Sequence, residues 1–414
     1  MSLSVQLDPN RAVKTPRALK AERTRHRVTF NPSKASPGEK LYVAVPKLDQ
    51  GVVIAPGTMA LRFDLVVSGQ ANNYVVDNVS RALVNRMTLK FGGEVIQDLN
   101  RYDLYQIFAD FFLPNRERQN RILEGIQSTD LNKLRSGAGN AKKDNQVNNA
   151  LLAVYGGKYR IPLDHEILRD HGVFYPQALN DALVFEIALA PADQVVLGAD
   201  PSKLGYELNN IELEYEVIRN DVLAQDTSSV YRSGKMFFYD HVSLHKTLIV
   251  KRDTDTILNE TINVPRRSMK GLLLLFVEPY TAGTRDSQKF TNPDITSVKV
   301  TVDGTPNKVY SQGMEGKDMW EEVARHFIIA EQHETAMTPI SYYTGNQFGL
   351  FVDLRSTSDN TLHGSGLRLV NSKGGVQLEM KRSTSGSGNL NCHVFVISDA
   401  QVNLLNGQLD SIQY

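Results

Sequence analysis

The sequence predicts an all-β protein built from two copies of one domain. Residues 83–112 and 295–327 each contain an alternating strand, a tight turn, a second short strand and a helix with an acidic first turn, in the same order. Elsewhere, short apolar stretches with alternating polarity recur between turns rich in Gly, Pro, Asn and Ser. A chain of 414 residues is long enough for two domains of about 200 residues each.

The repeat is clearest at its turn. Gly92-Gly93 in the first copy corresponds to Asp303-Gly304 in the second, and both dipeptides tolerate the positive φ that a two-residue hairpin loop requires. The helix that follows begins near Asp103 in one copy and near Asp318 in the other. We therefore expect the two halves to superpose with these residues aligned.

We place the first domain at residues 28–221. Its last predicted strand, 211–218, alternates apolar residues with Glu212, Glu214 and Glu216, which indicates one wet, acidic face. A polar stretch at 136–149 has no counterpart in the second half and is predicted to be an inserted loop. The other predicted strands of this domain are 28–30, 41–45, 52–54, 59–67, 87–91, 95–96, 159–163 and 183–189.

Residues 222–235 lack strand alternation and are predicted to be a linker. The second domain is placed at 236–404, and the polar residues 405–414 are expected to form a C-terminal tail. The predicted strands of this domain are 236–239, 247–250, 257–264, 271–277, 298–302, 309–310, 348–354, 376–380 and 393–397.

Residues 1–27 are predicted to be a basic N-terminal arm, extended or disordered because Pro16 interrupts any helix. Two interpretations stay open: contact with a polyanion or an acidic neighbour, and a solvated tail. If the core strands begin near Val28, deletion of residues 1–27 leaves the fold intact. The candidate contact residues are Arg11, Lys14, Arg17, Lys20, Arg23, Arg25 and Arg27.

Composition argues against several function classes. The formal net charge is zero, so no global field favours nucleic acid or membrane, and the single cysteine excludes an intrachain disulfide. Nucleotide-binding, zinc-protease and serine-hydrolase motifs are missing from the sequence, so we predict a protein that is not an enzyme and needs no cofactor or metal. His241 and His245 are interpreted as surface residues, and Trp320 as a core residue of its helix.

A second repeated pair, His171-Gly172 and His363-Gly364, suggests either a duplicated site or a turn that recurs because the domain recurs, and we favour the turn. About eight short strands in each half argue for tandem sandwiches or jelly rolls rather than an α/β fold. A helix between strands fits a jelly roll with an elaborated connection.

Four segments carry a resemblance to a known family: 171–179 (HGVFYPQAL), 275–280 (LFVEPY), 315–320 (EGKDMW) and 391–399 (NCHVFVISD). With them the chain resembles the major capsid proteins of Polinton/Maverick and adintovirus-like elements. The resemblance implies a double jelly roll, that is, two tandem eight-stranded jelly rolls with a short helix inserted in each. It carries no catalytic residues.

On this basis we expect a viral structural protein. The chain would form a homotrimer whose six similar lobes make a pseudo-hexameric capsomer of an icosahedral capsid. It would be made in the host cytoplasm and reside in the virion. Expected partners are penton and minor capsid proteins, with genome DNA or an internal membrane in contact with the arm. The alternative is a tandem β-sandwich binding protein of the lectin type, which a monomeric mass would favour.

Overall fold

The computed structural model of the protein describes residues 22–70, 72–126, 154–307, 309–310, 312–328, 337–357, 363–384 and 386–414. The predicted loop at 136–149 lies outside these residues. Strands of the first half are β1 Glu22–Thr29, β2 Lys40–Ala44, β3 Val52–Ile54, β4 Ala60–Gly69, β5 Tyr74–Val75, β6 Val84–Phe91, β7 Glu94–Asn100, β8 Lys158–Pro162, β9 Leu183–Leu189, β10 Val196–Leu197 and β11 Leu204–Arg219.

Strands of the second half are β12 Lys235–Lys251, β13 Ile257–Ile262, β14 Met269–Val277, β15 Ile295–Val302, β16 Thr305–Pro306, β17 Met314–Glu315, β18 Gly349–Asp353, β19 Val376–Arg382, β20 Asn389–Leu405 and β21 Gln408–Gln413. The α-helices are α1 Val79–Ala82, α2 Tyr102–Asp110, α3 Asn115–Asn120, α4 Glu166–Arg169, α5 Ala192–Val195, α6 Asp221–Ser233, α7 Gly316–Phe327 and α8 Pro339–Thr344. None of the described helices is long and apolar enough to cross a membrane.

Each half is a jelly roll of two antiparallel sheets. In the first half the hydrogen-bonded orders are β1-β11-β4-β8 and β2-β9-β6-β7, and in the second they are β12-β20-β14-β18 and β13-β19-β15-β16. The two sets correspond strand for strand, and α2 and α7 occupy the same place in the connectivity. The predicted fold class, a double jelly roll with a helix in each copy, is confirmed.

The two predicted hairpin turns have the same backbone. Gly92 and Gly93 adopt φ of 57° and 89°, and Asp303 and Gly304 adopt 48° and 78°. The helices after them differ in detail. Asp318 is the third residue of α7 and caps it by accepting the Glu315 N–H at 2.9 Å, whereas Asp103 is the second residue of α2 and does not cap it.

The structure corrects several predicted boundaries. Among the described residues, 22–27 belong to β1 of the first jelly roll rather than to an arm. Predicted strands 236–239 and 247–250 are parts of β12, where a bulge between Leu244 and Lys246 breaks the alternation. The predicted linker is helix α6 with Asn220 as its N-cap, and the predicted tail contains β21, which pairs with β20. The predicted strand at 309–310 is a turn.

The buried apolar residues of both jelly rolls form one continuous cluster. Strands with one covered face alternate, as β9 does, whereas β14 is buried at eight of its nine positions because both of its faces are covered. Trp320 packs against this cluster, as predicted for the apolar side of α7. The core therefore runs through the contact between the domains instead of stopping at it.

Candidate functional site

The contact between the two jelly rolls combines buried aromatic, ionic and hydrogen-bonding contacts. Helix α2 of the first jelly roll places Phe108 against Phe290 and Phe327 of the second, with ring centroids 5.5 and 5.6 Å apart. Gly349 on β18 leaves room for this ring, because a Cβ there would collide with the Phe108 side chain. Aromatic pairs of this kind add about 0.5–1.5 kcal/mol each beyond the apolar area they bury.

A buried ion pair also joins the domains. Asp103 of α2 is completely buried and accepts hydrogen bonds from Arg285 of the second jelly roll and from Arg101, whose two bonds are each 3.0 Å. Arg285 is 3% exposed and donates also to the Gln194 carbonyl at 2.8 Å. Burial alone would raise the pKa of Asp103, but the charges of Arg101 and Arg285 outweigh it and hold the pKa below its usual value.

Hydrogen bonds between side chains and backbone carbonyls of β7 and β12 complete this interface. The Tyr239 hydroxyl on β12 donates to the Ile96 carbonyl on β7 at 2.5 Å, and the Gln97 amide donates to the Val242 carbonyl at 2.9 Å. Strand β7 thus runs along β12, and a side chain of each strand donates a hydrogen bond to a backbone carbonyl of the other. With the ion pair and the aromatic cluster, these bonds fix the relative orientation of the two lobes.

The two His-Gly turns flank β12 at this interface. Gly172 and Gly364 have φ of 77° and 83°, which matches the recurring-turn interpretation. Both histidines also contact Phe238. His171 Nε2 lies 2.6 Å from its carbonyl oxygen, and the His363 ring stacks on its side chain at 5.1 Å. The first copy of the motif therefore helps to dock the domains, which its spacing alone could not indicate, whereas the second copy packs within its own jelly roll.

A polar cluster that includes His363 resembles a metal-ion site, but the ammonium group of Lys270 already occupies the position of the positive charge. Asp240, His363 and Asp399 bring their ligand atoms within 4.8 Å of one another. The Lys270 ammonium lies 2.5 Å from Asp240 and 3.2 Å from Asp399, so it supplies the positive charge that a metal ion would bring. Burial opposes ionisation of Asp399, but bonds from His363 and Ser268 with the Lys270 charge lower its pKa to about 2.

The predicted basic residues divide between two regions. Arg11, Lys14, Arg17 and Lys20 lie outside the described residues. Arg23, Arg25 and Arg27 point from β1 onto the acidic face of β11.

On that face, Arg23 and Arg25 both bond Glu216, with Nε distances of 2.6 and 3.0 Å, and Arg27 bonds Glu214 at 2.6 Å. Hydrogen bonding by Arg25 lowers the pKa of Glu216. The three arginine side chains remain 68%, 58% and 46% exposed, so they keep an open side.

Sequence reasoning found the basic segment and the acidic strand face but not that they pair. Each pattern gives the sign of a charge and not its partner, which lies about 190 residues away. His241, predicted to be a surface residue, is instead buried, and its ring packs edge-on against Tyr414 at 4.8 Å. The signal missed there was β21, because the polar composition of the last residues concealed a strand.

The fold and its fixed interface define the class of double jelly-roll proteins. No protein-family model matches the chain, and no curated protein sequence matches it. Among solved structures it is similar to the PBCV-1 virus capsid, with a TM-score of 0.63 and 10% identity over 96% of this chain and 98% of that one.

It is also similar to the Faustovirus major capsid protein, with a TM-score of 0.60 and 7% identity over 94% and 91% of the two chains. For the mavirus major capsid protein the TM-score is 0.52, with 11% identity over 94% and 89%. At such low identities the likeness is one of fold.

Proposed function

We propose that this chain is a viral major capsid protein that assembles as a homotrimer. One observation carries the proposal: two jelly rolls with the same strand order are locked together by a buried interface. A chain of this kind presents two similar lobes at a fixed angle. Three copies related by threefold symmetry then present six lobes, which suits a hexagonal position in an icosahedral shell. The likeness to capsid proteins of PBCV-1, Faustovirus and mavirus supports the same function.

In this proposal the chain is structural and not an enzyme, is made in the host cytoplasm and resides in the virion. The four sequence motifs support placement in the Polinton/Maverick lineage. Penton and minor capsid proteins complete the shell. The segment that carries Arg11, Lys14, Arg17 and Lys20 precedes β1 and would meet genome DNA or membrane headgroups on the inner side, where contact with phosphates would weaken with salt.

The test is a mass measurement followed by imaging. The purified chain, 46.2 kDa as a monomer, should elute with three times that mass in light scattering, and overexpressed protein should form closed shells in electron micrographs. A monomer at tens of micromolar would refute the proposal and favour a tandem β-sandwich binding protein. The trimer should bury on the order of 2,000 Å² at each contact, as obligate assemblies do.

A further inference from the structure

One strand position is covered in the second jelly roll and bare in the first. β12 and β1 occupy the same edge of corresponding sheets. In β12, Phe237, Tyr239 and His241 are buried, whereas all eight residues of β1 are exposed. The first jelly roll covers Phe237 and Tyr239, because the Phe237 ring lies 6.5 Å from that of Phe174 and the Tyr239 hydroxyl donates to the Ile96 carbonyl. His241 packs instead on Tyr414 of its own jelly roll.

The element that runs along β12 also has a counterpart. That element is β7, the last strand of the sheet β2-β9-β6-β7. The corresponding strand of the second jelly roll is β16, which follows the equivalent turn, and both of its residues, Thr305 and Pro306, are exposed. Within the described residues, the chain therefore has one β7-type edge and one β12-type edge in contact, and one of each left open.

We propose that the β16 edge of one copy covers β1 of the next copy, in the way that β7 covers β12 within a chain. The inference rests on the proposed trimer and names its contact surfaces. Each chain offers one edge and receives one, so the contact is heterologous, and three chains close a ring in which contacts within and between chains alternate.

The chemistry of the two surfaces is complementary. β1 presents Arg23, Arg25 and Arg27 on one face and Val28, 50% exposed, on the other. Beyond β16 the chain presents the apolar side chain of Val309, 68% exposed, and then an acidic stretch formed by the N-cap and first turns of α7. In that stretch Glu315, Asp318 and Glu321 oppose the single Lys317. Complementary charge of this kind orients two chains as they approach each other, and it disfavours pairing of the β1 edge of one chain with the β1 edge of another.

The test is cross-linking of the full chain with cysteines at Thr24 on β1 and Thr305 on β16. Both positions are exposed, and the native Cys392 is buried and does not compete. A short bismaleimide tolerates the unknown register between the strands. The control pairs the Thr24 cysteine with one at Tyr42, a 58% exposed residue on β2 at the edge of the other sheet.

We expect denaturing gels of the Thr24/Thr305 variant to show bands of two and three linked chains, ending at three, and the control to stay monomeric. Co-expressed single variants, one carrying a size tag, should give only mixed Thr24–Thr305 products. A trimeric mass without these bands, or a bridge within one chain, would overturn the inference while leaving the proposed trimer standing. A monomeric mass for the unlinked protein would overturn both.

Discussion

Replacement of Arg285 by methionine should loosen the contact between the jelly rolls. The change leaves the Asp103 carboxylate fully buried with Arg101 as its remaining partner. Removal of one partner of a buried ion pair costs about 3–5 kcal/mol, and the two bonds from Arg101 place this case lower, at about 2–3 kcal/mol. The effect should persist at high salt, because a buried pair is poorly screened.

The assay is urea unfolding at one fixed protein concentration, followed by fluorescence. Trp320 is the single tryptophan of the chain, and it lies on Phe112 of the other jelly roll with ring centroids 6.3 Å apart, so it reports on this interface. A double-mutant cycle with Asp103→Asn isolates the pair, and we expect a coupling energy of about 2 kcal/mol.

The matched control is Arg86→Met. Arg86 also bonds an aspartate, Asp98, through two contacts of 2.7 and 2.5 Å, but the two side chains are 50% and 37% exposed. An exposed pair contributes about 0.2–1 kcal/mol and weakens with salt. A coupling energy between Arg285 and Asp103 below about 0.5 kcal/mol, or one no greater than that between Arg86 and Asp98, would refute the role given to this interface.

Three further outcomes are expected. Deletion of residues 1–20 should leave the fold intact. Deletion of residues 1–27 should lower the free energy of unfolding by about 2–3 kcal/mol, because two buried glutamates of β11 lose their partly exposed arginine partners. Equal stability of the two truncated chains in urea unfolding would contradict the assignment of residues 22–27 to β1. Gly349→Ala should destabilise the chain by about 1–3 kcal/mol through overpacking against the aromatic cluster, while Gly316→Ala, at an open position, should change the unfolding midpoint little. Glu166→Gln should remove a pH dependence of the free energy of unfolding. Burial and the charge of Asp240 raise the pKa of Glu166, so its contribution to stability is complete below pH about 4.5 and is lost progressively as the pH rises. If the wild-type and Gln chains lose the same stability between pH 5 and 8 in parallel urea titrations, the carboxyl is not protonated in the folded state.

Local chemistry decided what could be predicted from the sequence. The turns at Gly92-Gly93 and Asp303-Gly304 were predictable because positive φ restricts the residue types. Strands such as β9 were predictable because one covered face imposes alternation. The duplication followed because both signals recur in the same order.

Contacts distant in sequence were not predictable. Asp103 and Arg285 are 182 positions apart, and neither residue type reveals its partner. Residues 1–27 are predicted to be an arm because the segment is basic and Pro16 interrupts any helix. The sequence does not reveal that Glu214 and Glu216 of β11 pair with its last three arginines in β1. The bulge in β12 similarly makes one strand look like two in the sequence, because it reverses the alternation of buried and exposed residues on which the prediction depends.

The tandem arrangement also sets how the two lobes can change over generations. Because ribosomes make both lobes as one polypeptide, their stoichiometry is one to one without any control of expression. A substitution in one lobe then alters only that lobe, whereas in an assembly of identical single-lobe subunits it would alter every position at once. The two helices already differ in this way: Asp318 near the start of α7 caps that helix, while Asp103 near the start of α2 is held in the ion pair between the lobes.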